Sequence, residues 1–304
     1  MSIVVNTNVA SMNAQRSLAT SGKSLQQAME RLSTGSKINS AADDAAGFAI
    51  AESMTAQVRG LSMSAKNASD ALGLLKVVEN ATNDVTDMLQ RIRELAVQAQ
   101  SGTNSAGDIA NLQQEANALI DEIGRVSEDT KYNGKARIGA DAATLNIQVG
   151  YNDGDTIAIT TYNIKSENLG VMINDASTAS PTDDKVLVAL KKADGTYLNI
   201  AQTVTAEAGT TNKIPGALEV ITGAINQVAG YKASWGAGQN RLEYTVSNLM
   251  NVVEFTTAAR SRIQDADFAM EAAKLAKAQV LQQTGTAMLA QANAAPQLAL
   301  QLIK

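Results

Sequence analysis

The sequence predicts a mainly α protein with a small β part: long terminal helices forming a coiled-coil-like bundle, and β-hairpins in the middle of the chain. Three observations carry this. Apolar residues recur at alternating steps of three and four near both ends. Aromatic residues make up only 3% of 304 residues against 45% hydrophobic, so the core must be built from small aliphatic side chains, which suit closely packed helices. The three prolines, Pro181, Pro215 and Pro296, leave 1–180 and 216–295 free of helix breakers, each of which would cost about 3 kcal/mol inside a helix.

Near the N-terminus, Leu18, Leu25 and Leu32 stand seven apart, with Ala28 and Met29 on the same face. Leu74, Val78, Ala81, Val85, Met88, Ile92, Leu95 and Ala99 then give a heptad seam on one long helix. "SGTNSAG" at 101–107 breaks it, and Ile109, Leu112, Ala116, Leu119, Ile123 and Val126 mark a second helix that ends before the "YNG" turn signal at 132–134. In the middle, Leu145, Ile147, Val149 and Tyr151 alternate ahead of "NDGD", and Ile157 and Ile159 follow, which reads as a hairpin. "DKVLVALKKADGTYLNIAQTVTA" reads as a second hairpin turning at "ADGT". Between 139 and 215 stand nine acids and five lysines, most of the net charge of −5, as expected of a solvent-facing part. Leu242, Val246, Leu249 and Val253 form a further seam, and Leu281, Gly285, Met288, Ala292, Ala295, Ala299 and Leu302 form the last. This pattern brings the two ends of the chain close together.

Composition excludes whole classes of chemistry. There is no Cys and no His, so thiolate or imidazole metal sites, cysteine nucleophiles and Ser-His-Asp triads are out. No cofactor is expected. The negative charge and pI near 5.0 argue against nucleic acid as the main partner. No stretch reaches the ~18 apolar residues of a membrane span. "MSIVVNTNVASMNAQRSLATSGK" lacks a basic start, an apolar run and a cleavage site, so export would use a route without a cleaved signal peptide.

Residues 278–303 run 26 positions without a charge, interrupted by six glutamines. Such an arm is too polar for an easy membrane span. Its seam of small residues also buries too little to hold one helical hairpin in water, where unpacked helices are marginal. The arms are therefore expected to be weakly ordered in a lone molecule and helical where several copies pack together. An uncharged arm brings no ions into that interior. Leu18, Leu25, Leu32, Leu281, Met288, Ala292, Ala295 and Leu302 are the expected self-assembly seam.

The stretches "NTNVASMNAQRSL", "AMERLSTGSKINSAADDAAGFAIAESM" and "NASDALGLLKVVENATNDVTDMLQRIRELAVQ", followed by "GAGQNRLEYTVSNLMNVVEFTTAARSRIQDADFAMEAAKLAKAQVLQQTGTAMLAQAN", closely resemble bacterial flagellins over about 1–160 and 216–304. The resemblance implies a non-enzymatic filament subunit, exported unfolded to the cell exterior and polymerising for motility. It further implies an inner domain of 1–45 with 262–304, a shell of 46–165 with 216–261, and a short surface-exposed β-rich segment at 166–215. The partners it implies are other copies of the chain, an export chaperone, the filament cap, hook-associated proteins and a host Toll-like receptor. The receptor patch maps to Arg91, Leu95 and Glu115. A hook–filament junction protein shares such terminal helices and is the alternative, with an enzyme on the same frame a more distant one.

Other motifs reduce to structure. "GAGQN" at 236–240 lacks the last glycine of a dinucleotide loop and reads as a loop or helix start. "YNDGDT" fails the calcium-loop spacing. Asp43 and Asp44 read as solvated or subunit-pairing carboxylates, and the hydroxyls of "NDASTASPTDD" as candidate glycosylation positions.

Overall fold

The computed structural model describes residues 7–174, 185–203, 205–206 and 213–301. Among them the order is α1 (Val9–Thr34), α2 (Ala45–Ala99), α3 (Ala106–Asp129), β1 (Thr144–Gln148), β2 (Thr156–Thr160), β3 (Gly170–Asn174), β4 (Lys185–Ala189), β5 (Thr205–Ala206), β6 (Lys213–Ile214), α4 (Ala217–Gln264) and α5 (Phe268–Gln301). The fold is mainly helical, with short antiparallel strand pairs in the middle. One unit comprises Met1–Arg59 and Val252–Lys304, the other Gly60–Asn251.

In the second unit the α2 seam is the spine of the core. Leu74, Val78, Val85, Ile92, Leu95 and Ala99 are all buried, while Met88 yields its place to Leu89, which is fully buried. The break after α2 closes with a capping box. Ser105 Oγ accepts from Asp108 N at 3.2 Å, and the Asp108 carboxylate accepts from Ser105 N at 3.0 Å, so two otherwise orphaned donors are satisfied. On α3, Ala116, Ile120 and Ile123 face the core, and Leu119 sits at its edge. Val220, Ile221, Ala224, Val228, Trp235 and Leu242 supply the α4 side. "GAGQN" lies inside α4 rather than at a loop or helix start. Its glycines cost roughly 1 kcal/mol each in helix propensity, which burial of Trp235 and Leu242 on either side offsets.

The first hairpin forms in the expected register, with Leu145 opposite Ile159 and Ile147 opposite Ile157. Gly154 takes a positive φ of 91° in its turn, and Val149 N donates to Asp155 O at 2.8 Å. Tyr151 leaves the strand and is exposed. Trp235 ties the hairpin to α4, its Nε1 donating to Thr160 O at 2.9 Å, and Tyr162 stacks on Tyr231 with ring centroids 4.1 Å apart.

The second hairpin differs from the sequence expectation. The turn at "ADGT" is present, with Lys192 N donating to Thr196 O at 2.8 Å, but only a single bridge joins Lys191 to Tyr197. The ladder partner of β4 is β3, with Met172 opposite Leu187. Leu190, Leu198 and Ile200 turn into the core beside Leu169, so the chain after β4 is committed to burial instead of strand pairing. Positions 175–184 of "NDASTASPTDD" lie outside the described residues.

Candidate self-assembly surface

Asn8 starts α1 by accepting from Ser11 N at 3.0 Å, the usual use of an Asx side chain at a helix start. Its Nδ2 reaches across to donate to Ala292 O on α5 at 2.7 Å. Next to it, Ser11 Oγ meets Asn293 Oδ1 at 2.8 Å. Further along, Ser21 Oγ donates to Ala278 O at 3.2 Å, and Arg31 Nη1 lies 3.5 Å from Glu271 Oε1. As numbers rise on α1 they fall on α5, so the helices form an antiparallel pair that sets the start of α1 beside Ala292 and Asn293. At its closed end Gly35 takes a left-handed φ of 71° and caps α1 on Arg31 O. There Lys37 N donates to Gln264 O at 2.6 Å and Ala266 N to Gly35 O at 2.9 Å.

Small residues set how closely the pair approaches. Ala28 and Ala278 are buried, while Leu18, Leu25 and Leu32 are half-buried. Met29 lies about 100° round the helix from Ala28 and is exposed, not on the Ala28 face as its spacing suggested. On α5 the side against α1 runs through Glu271, Leu275, Ala278, Gly285, Leu289 and Ala292. Leu281 and Met288, beside that side, are 49% and 64% exposed, and Val280 is exposed as well. Thus α1 takes up the Gly285–Ala292 edge of the sequence seam and leaves its Leu281–Met288 edge uncovered. Ala295 is placed only as a position on the α5 backbone, its side chain undescribed, and Leu302 lies outside the described residues.

An ion cluster sits in the interface around the buried Glu271, with Lys274 reaching solvent. The Glu271 carboxylate is held below the usual range chiefly by the Lys274 hydrogen bond at 2.7 Å, with the charges of Lys274 and Arg31 adding to it and burial opposing. At the other end of the α1–α2 loop, Asp43 accepts from Ser40 N at 3.1 Å and Asn39 N at 3.2 Å, and Asp44 accepts from Gly47 N at 2.9 Å. These carboxylates build a turn and cap α2, a role that the alternating pattern of the sequence did not signal.

The mapped receptor residues lie in the second unit. Arg91 Nε donates to Glu115 Oε1 at 3.0 Å and Arg91 Nη1 to Glu94 Oε2 at 3.0 Å, in the open. Leu95 is only 1% exposed. As the α2 seam position after Ile92 it belongs to the core, and this corrects its placement in a surface patch. Among the described residues no helix is long and apolar enough to cross a membrane, and no group of three His, Cys, Asp or Glu is arranged to hold a metal ion.

Residues 5–138 match the bacterial flagellin N-terminal helical region and residues 218–303 the bacterial flagellin C-terminal helical region. A flagellin of Bacillus subtilis (strain 168) is 40% identical over 312 residues, covering 99% of each chain. A flagellin of Xenorhabdus nematophila is 42% identical over 313 residues, covering 100% of each. The crystal structure of Bacillus cereus flagellin aligns with 60% of this chain and 88% of its own at 24% identity, with a TM-score of 0.42. Matches at both helical ends, and relatives sharing the whole length, lead to one conclusion: the chain belongs to the bacterial flagellin family.

Proposed function

We infer that this protein is the repeating structural subunit of the bacterial flagellar filament, polymerising through its terminal helices to serve swimming motility. The observation that carries this is the two-sided apolar surface of α5. One side rests on α1, and the Val280, Leu281 and Met288 side faces outward from the chain. An exposed apolar stripe of this kind marks a contact surface, and an uncharged arm suits burial among copies of itself.

The layering follows the same logic. Residues 1–45 with 262–304 form the inner part of the polymer, 46–165 with 216–261 the shell of long helices, and 166–215 the outward β-rich segment. Export without a cleaved signal, an export chaperone, the filament cap and hook-associated proteins follow from the family likeness. So does recognition by a host Toll-like receptor. The exposed Arg91–Glu115 pair supports that contact.

Electron microscopy of the purified protein at high concentration tests the filament reading. Long helical filaments are expected. Particles that stay small at every concentration would rule it out.

A further inference from the structure

The α1–α5 pair carries a groove of about 700 Å³ with an unbalanced lining. Arg16, Arg31, Lys274 and Lys277 face it with a single carboxylate, Glu271. That carboxylate is already engaged, accepting from Lys274 Nζ at 2.7 Å and lying 3.5 Å from Arg31 Nη1. Arg31 Nε is buried with no hydrogen-bond partner, and neither Arg16 nor Lys277 pairs with a carboxylate among the described residues. A buried guanidinium N–H without an acceptor is costly, and guanidinium forks match carboxylates in shape as well as charge. Ala28, Ala278 and Leu281 add an apolar lining beside the cations. The groove therefore fits a protein segment that brings a carboxylate on an aliphatic stem better than it fits a small hydrated anion.

We propose that in the polymer a carboxylate-bearing segment of a second copy of this chain fills the groove, received by Arg16 and Lys277 beside the buried Arg31 guanidinium. Charge complementarity identifies the occupant. Val9–Thr34 and Phe268–Gln301 together hold five basic and two acidic residues in a chain of net charge −5, so the rest of every copy is strongly acidic. A second copy is also the one partner present in fixed proportion along a homopolymer. The proposal rests on the filament reading above and adds to it the chemistry of one contact.

Filaments grown from an equal mixture of ¹⁴N- and ¹⁵N-labelled chains and treated with a water-soluble carbodiimide test it. The reagent activates a carboxylate, and the Lys277 amine then forms an amide with net loss of water. Mass spectrometry is expected to find Lys277 joined to Asp or Glu of the opposite isotope in filaments and not in dilute monomer. The Arg16→Glu/Lys277→Glu double variant is expected to keep its monomer circular dichroism and to raise the critical concentration for polymerisation at least about tenfold. Lys23→Glu, on α1 but outside the groove, should leave that concentration unchanged. Filaments in which Lys277 links to nothing or only within its own chain would overturn the proposal, as would a double variant that polymerises like the parent. A groove filled by buffer phosphate would show itself by Lys277 protection that vanishes on phosphate removal, and would likewise overturn it. A parent chain that forms no filaments would overturn the filament reading as well.

Discussion

The terminal methyl of Leu18 on α1 lies 3.0 Å from where a Cβ on Gly285 of α5 would begin. The two helices approach because position 285 has no side chain. Gly285→Ala gains about 1 kcal/mol in helix propensity and asks only a flexible leucine tip to shift, so it is expected to be close to neutral. Gly285→Leu must spread the pair and is expected to destabilise it by about 1–3 kcal/mol. Hydrogen exchange of the α5 amides in assembled filaments measures both, and unchanged exchange for Gly285→Leu would contradict this packing.

Gly60 does the same for the first hairpin. A Cβ there would stand 2.8 Å from Tyr151 Cβ, an atom tied to its backbone and unable to swing aside. The neighbouring segment is held by Ser64 Oγ donating to Gly150 O at 2.9 Å and Asn67 Nδ2 donating to Gln148 O at 3.3 Å. Gly60→Val is expected to push the 149–155 turn off α2 and to raise exchange of the Val149 amide. The fluorescence of Trp235, the chain's single tryptophan, should stay near parental values, since it senses the far end of the hairpin at Thr160. Unchanged exchange at Val149 would refute the contact.

Acid should loosen the α1–α5 pair through Glu271. Its side chain is 6% exposed beside Arg31 and Lys274, and its pKa in the fold is lowered, first by the Lys274 hydrogen bond. A carboxyl group whose folded pKa lies below its unfolded one contributes fully above the unfolded value, about 4.3 for glutamate, and loses that contribution as pH falls through the folded value. Urea midpoints for dissociation of assembled parent filaments are expected to be level above about pH 5 and to fall below about pH 4. Glu271→Gln should lower the neutral plateau and flatten the acid decline; parallel curves for parent and variant would argue against this origin.

Met288 is 64% exposed in the single chain, so Met288→Asp costs the monomer little. In a polymer the same charge would be buried without a partner, which is expensive. The variant is expected to retain parental circular dichroism and to form no filaments in electron micrographs. Filaments at the parental critical concentration would remove Met288 from the assembly surface.

The sequence made the helices legible wherever one face alone decided burial. The α2 seam from Leu74 to Ala99 is an example, and Leu145 to Ile159 shows the same for a strand pair. Burial from two directions defeated the reading elsewhere. Leu89 and Ile120 are fully buried beside the seam positions Met88 and Leu119, because the core wraps more than one side of each helix. β3 is silent in the sequence because "GVMIN" shows no clean alternation, and the turn signal at "ADGT" points β4 downstream although its ladder partner lies upstream of 175–184. For Leu95 the family likeness implies a surface position and the heptad a buried one, and the heptad prevails. The turn-building role of Asp43 and the capping role of Asp44 depend on local backbone turns that apolar spacing does not encode.

Amide hydrogen exchange along α5, in dilute monomer and in assembled filament, tests most directly whether the terminal helices depend on other copies for their stability. Amides from Leu275 to Asn293 are expected to exchange at least about a hundredfold faster in the monomer, because one helical pair with an uncovered apolar side opens readily. Equal, strong protection in both states would mean that the pair is stable alone and that burial between copies is not what orders it.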